Sequence, residues 1–215
     1  MKFLSNFLPL AVFFFLKEKN TGKRLVFLYA LFCIANTVLD IAFRYYFHAE
    51  QLLEINQILY TPVEFIIFSL IFLQIFTTSI NRNIVLTGIF VFLVSWLLLY
   101  VTVQQENFDS IAVALEEILL IAYSIRYYFE RISKIDSIFL YATPEFWIVA
   151  AILIYSAATF FVYLYADSYM GTVDFKKQYD IIHLIASILK NLLLTVALLT
   201  QSKKNLPNPF QQNLT

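Results

Sequence analysis

Apolar positions in this chain neither alternate as in a strand nor form the single stripe of a soluble helix. They run on in long stretches near residues 3–16, 25–47, 52–76, 84–103, 109–130, 145–167 and 177–200. A helix crosses a bilayer with roughly 20 mostly apolar residues, so all but the short first stretch are long enough. The pattern predicts an all-α fold, a polytopic membrane helical bundle over residues 1–200 with seven transmembrane helices joined by short loops. The last fifteen residues, Gln201 to Thr215, are polar, contain Pro207 and Pro209, and read as a disordered cytoplasmic tail. Two short echoes, Arg44-Tyr45-Tyr46-Phe47 with Arg126-Tyr127-Tyr128-Phe129 and Thr61-Pro62 with Thr143-Pro144, each recur after 82 residues. The remainder does not align, and aromatic belts at membrane interfaces generate Tyr-Tyr-Phe runs, so coincidence is the better reading than duplication.

Composition agrees with the pattern. The chain is 60% apolar and 14% charged, against about 45–50% and about 25% in soluble domains. The net charge is zero, which gives no footprint for nucleic acid. Lys and Arg positions set the orientation. Ten lie on one side: Lys17, Lys19, Lys23, Arg24, Arg82, Arg126, Arg131, Lys134, Lys203 and Lys204. Four lie on the other, namely Lys2, Arg44, Lys176 and Lys177. The N-terminus is therefore expected outside and the C-terminus in the cytoplasm, as an odd number of spans requires. The short first stretch reads as a retained anchor rather than a signal-peptide core, because no small-x-small cleavage site comes after it.

Polar residues inside the stretches are the candidate chemistry, since a charge at mid-bilayer costs at least a few kcal/mol without a partner or water. Asn36, Asp40 and Arg44 are spaced at intervals of four and share one helix face, as do Asn56, Tyr60 and Glu64. Asp40 and Arg44 are spaced to pair along their helix. Counting about 1.5 Å per residue from each outer end places Asp40, Glu116 and His183 at one depth, and Glu64 and Lys190 deeper, near mid-bilayer. Glu64 and Lys190 are thus expected to form a buried ion pair. Asp40, Asn56, Tyr60, Glu116 and His183 are expected to line an outer polar pocket, with Glu117 and Asp180 near it. A static core in which these groups merely satisfy one another carries comparable weight. The stretch with Ser156, Ala157, Ala158 and Thr159 suits close helix packing, while residues 84–103, almost wholly apolar, are expected to face lipid.

Enzyme motifs are absent: there is no Gly-x-Ser-x-Gly and no His-Glu-x-x-His run. The Glu116-Glu117 pair resembles the paired-glutamate motif of the prenyl-protein protease and bacteriocin-processing family. The next arginine is Arg126, however, and Ser187 stands four after His183 where that family has Asn or Asp. Seven spans with a mid-span lysine in the last resemble the layout of microbial rhodopsins. Ala186, four residues before Lys190, occupies the place of that family's Asp, so retinal is not expected. The single cysteine, Cys33, reads as a small buried apolar group, and two histidines without a cysteine cluster imply no metal and no cofactor.

The segment from Glu145-Phe146-Trp147-Ile148 to Ala158-Thr159, the segment from Ile182-His183 to Lys190-Asn191-Leu192, and Tyr60-Thr61-Pro62-Val63-Glu64-Phe65 are similar to a group of small seven-span membrane proteins of Bacteroidota. The resemblance covers most of the chain through short motifs. It implies matching roles for Tyr60, Glu64, Tyr155, Lys190 and Asn191. Because that group often stands beside sensor histidine kinases, it also implies a sensory or accessory role in the bacterial inner membrane. The expected function is a non-enzymatic membrane sensor or accessory module, with the bilayer and a histidine kinase or other membrane subunit as partners, and self-association as another option. Arg126, Arg131 and Lys134 are the expected partner contacts. The alternatives are a transporter or channel subunit with a path through Glu64 and Lys190, disfavoured by having only 3 glycines, and a structural subunit of a membrane complex.

Overall fold

The computed structural model describes residues 5–16, 21–102, 105–133, 140–169 and 173–200. Lys134 and the tail 201–215 lie outside the described residues. Among the described residues seven α-helices run in chain order: α1 (Phe7–Phe15), α2 (Thr21–Ile41), α3 (Glu50–Ile75), α4 (Ser79–Thr102), α5 (Gln105–Ile132), α6 (Pro144–Tyr169) and α7 (Val173–Leu199). A π-helical turn, Ala42–Tyr46, continues α2. Five segments are long and apolar enough to cross a membrane: Thr21–Tyr46, Glu50–Ile75, Ser79–Thr102, Pro144–Leu164 and Lys177–Leu199. They mark the chain as a membrane protein. Outward faces carry residues that water would not tolerate in such number, with Phe90 69% and Val101 75% exposed.

Two helices fall short of that description. The 9 residues of α1 reach about 14 Å at ~1.5 Å each, half the apolar thickness. The 28 residues of α5 are interrupted by Glu116, Glu117 and Arg126, which make it the most amphipathic helix.

Packing reflects these surfaces. Helix α6 lies between α5 and α7, α7 meets α1, α1 meets α2, α2 meets α3, and α3 meets α5. The order closes a ring of six helices around a common interior. Helix α4 stays outside it, seated against α3 and α5, with only 11% of its apolar span buried. That outlying place agrees with its almost unbroken apolar sequence: it has no polar group needing a protein partner inside the ring.

Aromatic rings fill much of the interior. Phe65, Phe68 and Phe72 on α3 are fully buried, with the Phe92 ring of α4 centred 4.2 Å from that of Phe65. One of the few glycines has a visible purpose. A Cβ on Gly88 would collide with the Tyr123 hydroxyl, so only glycine lets α4 approach α5 here. Helix α1 is held by polar bonds as well as rings: Asn191 Nδ2 on α7 donates to Ser5 Oγ at 2.8 Å and Asn6 Oδ1 at 2.7 Å, and Phe13 stacks on Phe27 at 4.3 Å.

The π turn overturns one sequence expectation. Asp40 and Arg44 do not pair along α2. A π turn inserts an extra residue and rotates the residues beyond it. Arg44 ends exposed, while Asp40 accepts a bond from Asn56 Nδ2 at 2.8 Å.

Candidate functional site: a buried acid, phenol and amine centre

The apolar stretches converge on a polar centre inside the ring. Glu64 of α3 is 4% exposed and Lys190 of α7 is 3% exposed, and Lys190 Nζ lies 3.4 Å from Glu64 Oε1. The pair is not left to itself. Tyr29 of α2, 1% exposed, donates its hydroxyl to Glu64 Oε1 at 2.5 Å and accepts a hydrogen bond from Lys190 Nζ. The phenol oxygen therefore stands between amine and carboxylate, accepting from one and donating to the other. Three helices meet at this one hydroxyl.

Rings complete the enclosure. Lys190 Nζ sits 3.4 Å from the centre of the Tyr155 ring of α6, 5.0 Å from Tyr29 and 5.7 Å from Phe68. A desolvated ammonium over aromatic faces gains about 2 kcal/mol or more per good contact, so the rings offset part of the cost of holding the amine away from water. Tyr60, stacked on Phe32 at 5.3 Å, borders the centre through Cys33, whose sulfur lies 3.9 Å from the Tyr60 hydroxyl.

Two further carboxyl groups reach the same interior from α5. Glu116 and Glu117 are 3% and 2% exposed. Adjacent residues project to different sides of a helix, and here the two directions divide the work. Glu116 lies within electrostatic reach of Glu64 and Lys190. Glu117 Oε1 accepts from Thr159 Oγ1 of α6 at 2.7 Å. The same carboxyl has the Ser156 hydroxyl of α6 beside it, so α6 presents two hydroxyls to Glu117. Three carboxyl groups thus share one interior with one amine. Among the described residues no group of three His, Cys, Asp or Glu side chains is placed to hold a metal.

This placement corrects the expected outer pocket. Glu116 belongs with Glu64 rather than with Asp40 and His183. Depth counted along one helix does not say which way a side chain turns, and α5 turns Glu116 to within electrostatic reach of Glu64 and Lys190. The remaining residues separate into two small groups. Asn56 of α3 bridges Asn36 at 2.9 Å and Asp40 at 2.8 Å on α2. His183 of α7 bonds Ser187 Oγ at 3.2 Å and is surrounded by the rings of Tyr155, Tyr163 and Tyr179. Asp180 is exposed.

Of the residues implied by the seven-span resemblance, Glu64, Tyr155 and Lys190 meet directly and Tyr60 borders them, whereas Asn191 anchors α1. Tyr29 was not foreseen, although it stands seven and eleven residues before Asn36 and Asp40 and therefore on their face of α2. The expected partner-contact arginines are engaged within the chain. Arg126 is exposed, but its Nε donates to Asn81 Oδ1 at 2.8 Å. Asn81 and Thr77 in turn bond Glu130, which ties the α3–α4 junction to α5. Arg131 reaches the Ile75 carbonyl at 3.4 Å. No protein-family model matches the chain, and neither a curated protein nor a solved structure matches it.

Proposed function

We propose that this chain is a non-enzymatic sensor or accessory module of the bacterial inner membrane, a seven-span bundle with its N-terminus outside and its C-terminus in the cytoplasm. Its state resides in the acid, phenol and amine centre and passes to a cytoplasmic or membrane partner. The observation that carries the reading is the enclosure of Glu64, Glu116 and Glu117 with a single amine, Lys190, in one interior. An isolated buried charge is prohibitively costly, so charge balance there requires protons or a redistribution of contacts. Because Tyr29 joins three helices through one hydroxyl, gain or loss of a proton at the centre changes what holds α2, α3 and α7 together. Such a device converts a local charge change into a helix rearrangement. The excess of Lys and Arg expected on the cytoplasmic side supports the orientation, and the likeness to seven-span proteins found beside histidine kinases supports the sensory class.

The test is a kinase-dependent transcriptional reporter in the native host. Deleting the gene should change the reporter, and Glu64→Gln should lock it in one state while the protein stays at wild-type levels in the membrane. A reporter indifferent to both would sink the sensor reading.

A second reading is favoured by one observation, the burial of Glu116 and Glu117 on α5 next to the Glu64 and Lys190 pair. Carboxyl groups in series with a phenol form a proton path, as in transporters. Purified protein in liposomes should then carry a proton flux that Glu64→Gln abolishes; a flux equal in wild type and variant would exclude the path.

A further inference from the structure

We infer that the cavity at the start of α2 is a binding site for a phosphate-bearing ligand, a phosphoester carried either by an anionic lipid headgroup or by a small soluble molecule. The cavity measures about 580 Å³ and is formed by the first turn of α2, the end of α3, the beginning of α4, the end of α5 and the first turn of α6. Three cationic side chains from three different helices line it: Lys23, Arg82 and Arg131. Among the described residues, Glu145 is the one acidic side chain in the lining. The balance strongly favours an anion.

The cations are of two kinds. Lys23 is 5% exposed and held in place, its Nζ donating to the Leu198 carbonyl at the end of α7 at 2.9 Å. Arg82 is exposed and makes no side-chain hydrogen bond or ion pair among the described residues. Arg131 has a long hydrogen bond of 3.4 Å to the Ile75 carbonyl, and its guanidinium lies over the Tyr127 ring, 5.5 Å from its centre. A fixed ammonium with two guanidinium forks on the wall of the same cavity is a donor set suited to the oxygens of a phosphate. Pro144, the first residue of α6, also lines the cavity, so this helix N-terminus adds its positive end. The volume exceeds that of a bare anion and lies in the range of small-molecule sites, about 300–1,000 Å³, which leaves room for the ester's organic portion. A bound phosphate would tie together five helices, including α2 and α3 of the buried centre, but the inference stands on the cavity alone and is independent of the sensor reading.

The experiment is thermal unfolding of the full chain in neutral detergent. One series adds inorganic phosphate, and a second adds mixed micelles of phosphatidylglycerol or of phosphatidylcholine. Sodium chloride at matched ionic strength is the reference. The wild-type midpoint should rise with phosphatidylglycerol and not with phosphatidylcholine. A rise with inorganic phosphate as well identifies a free phosphate as an adequate ligand; a rise with phosphatidylglycerol only identifies the headgroup as the source. Arg82→Gln combined with Arg131→Gln should weaken the response by about tenfold or more in ligand concentration. Arg44→Gln, at the exposed π turn, should leave it unchanged. Arg82→Gln alone removes no hydrogen bond or ion pair among the described residues and serves where the double variant unfolds; it should weaken the response in the same direction. No rise with either phosphate source, an equal rise with sodium chloride, or an undiminished response in Arg82→Gln and the double variant would overturn the assignment.

Discussion

The buried centre and the junction around Glu130 are both polar networks that tie helices together, yet they do so under opposite physical conditions. At the centre, Glu64, Tyr29 and Lys190 are almost wholly enclosed, and the low dielectric strengthens every interaction while making any missing partner expensive. At the junction, Arg126 is exposed, Glu130 is partly buried and only Asn81 is enclosed, so solvent can replace a lost partner. The two networks make comparable numbers of bonds and should differ widely in what those bonds are worth. Counting hydrogen bonds in a membrane protein says little until the depth of each is known.

The sharpest break should come from Lys190→Met, which strands Glu64 in the interior. Loss of one partner of a buried pair costs about 3–5 kcal/mol, read as a fall in unfolding free energy in detergent. Glu64→Gln should also destabilise, and the double variant should recover most of the loss. Purely additive effects would mean that the pair is not what holds α3 to α7.

Tyr29→Phe should come next. It removes the donor to Glu64 and the acceptor for Lys190 without changing the packing, and a hydrogen bond to a charged group is worth about 1.5–3 kcal/mol. An effect below the error of the measurement would return the centre to a simple two-residue pair.

A steric contact calibrates the scale. Gly88→Ala forces a Cβ against the Tyr123 hydroxyl and should cost about 1–3 kcal/mol, as overpacking does. Combining it with Tyr123→Phe, which removes the clashing oxygen, should recover part of that cost. If the double variant is no better than Gly88→Ala alone, α4 does not seat on α5 at this point.

The smallest effect should be that of Arg126→Gln at the junction, about 0–1 kcal/mol and weaker still in high salt. A loss as large as that of Lys190→Met would erase the contrast between the two networks.

Much of the arrangement was legible in the chain itself. Long apolar stretches announced helices, and seven appear among the described residues within about five residues of the expected places, five of them long and apolar enough to cross a membrane, where backbone groups must be satisfied within each segment. Two opposite charges at matched depth announced the Glu64 and Lys190 pair. Arithmetic along separate helices failed where a helix departed from regularity, since the π turn at Ala42–Tyr46 redirected Arg44, and it could not give the rotation that turned Glu116 toward Glu64. Tyr29 went unnoticed because a tyrosine in an apolar run has an ordinary explanation as packing.

The amino-acid sequence determined by itself the solvent, the helical class, and the depth at which charges had to find partners. Those properties rest on free energies of transfer and on the rise of a helix, which are local quantities. Which partner each charge found was decided only by the tertiary structure. Closing the ring brought Tyr29 between Glu64 and Lys190, set Tyr155 over the amine, and left α4 outside. Rotation and neighbour order are set by packing between helices, and no single helix carries that information in its own sequence.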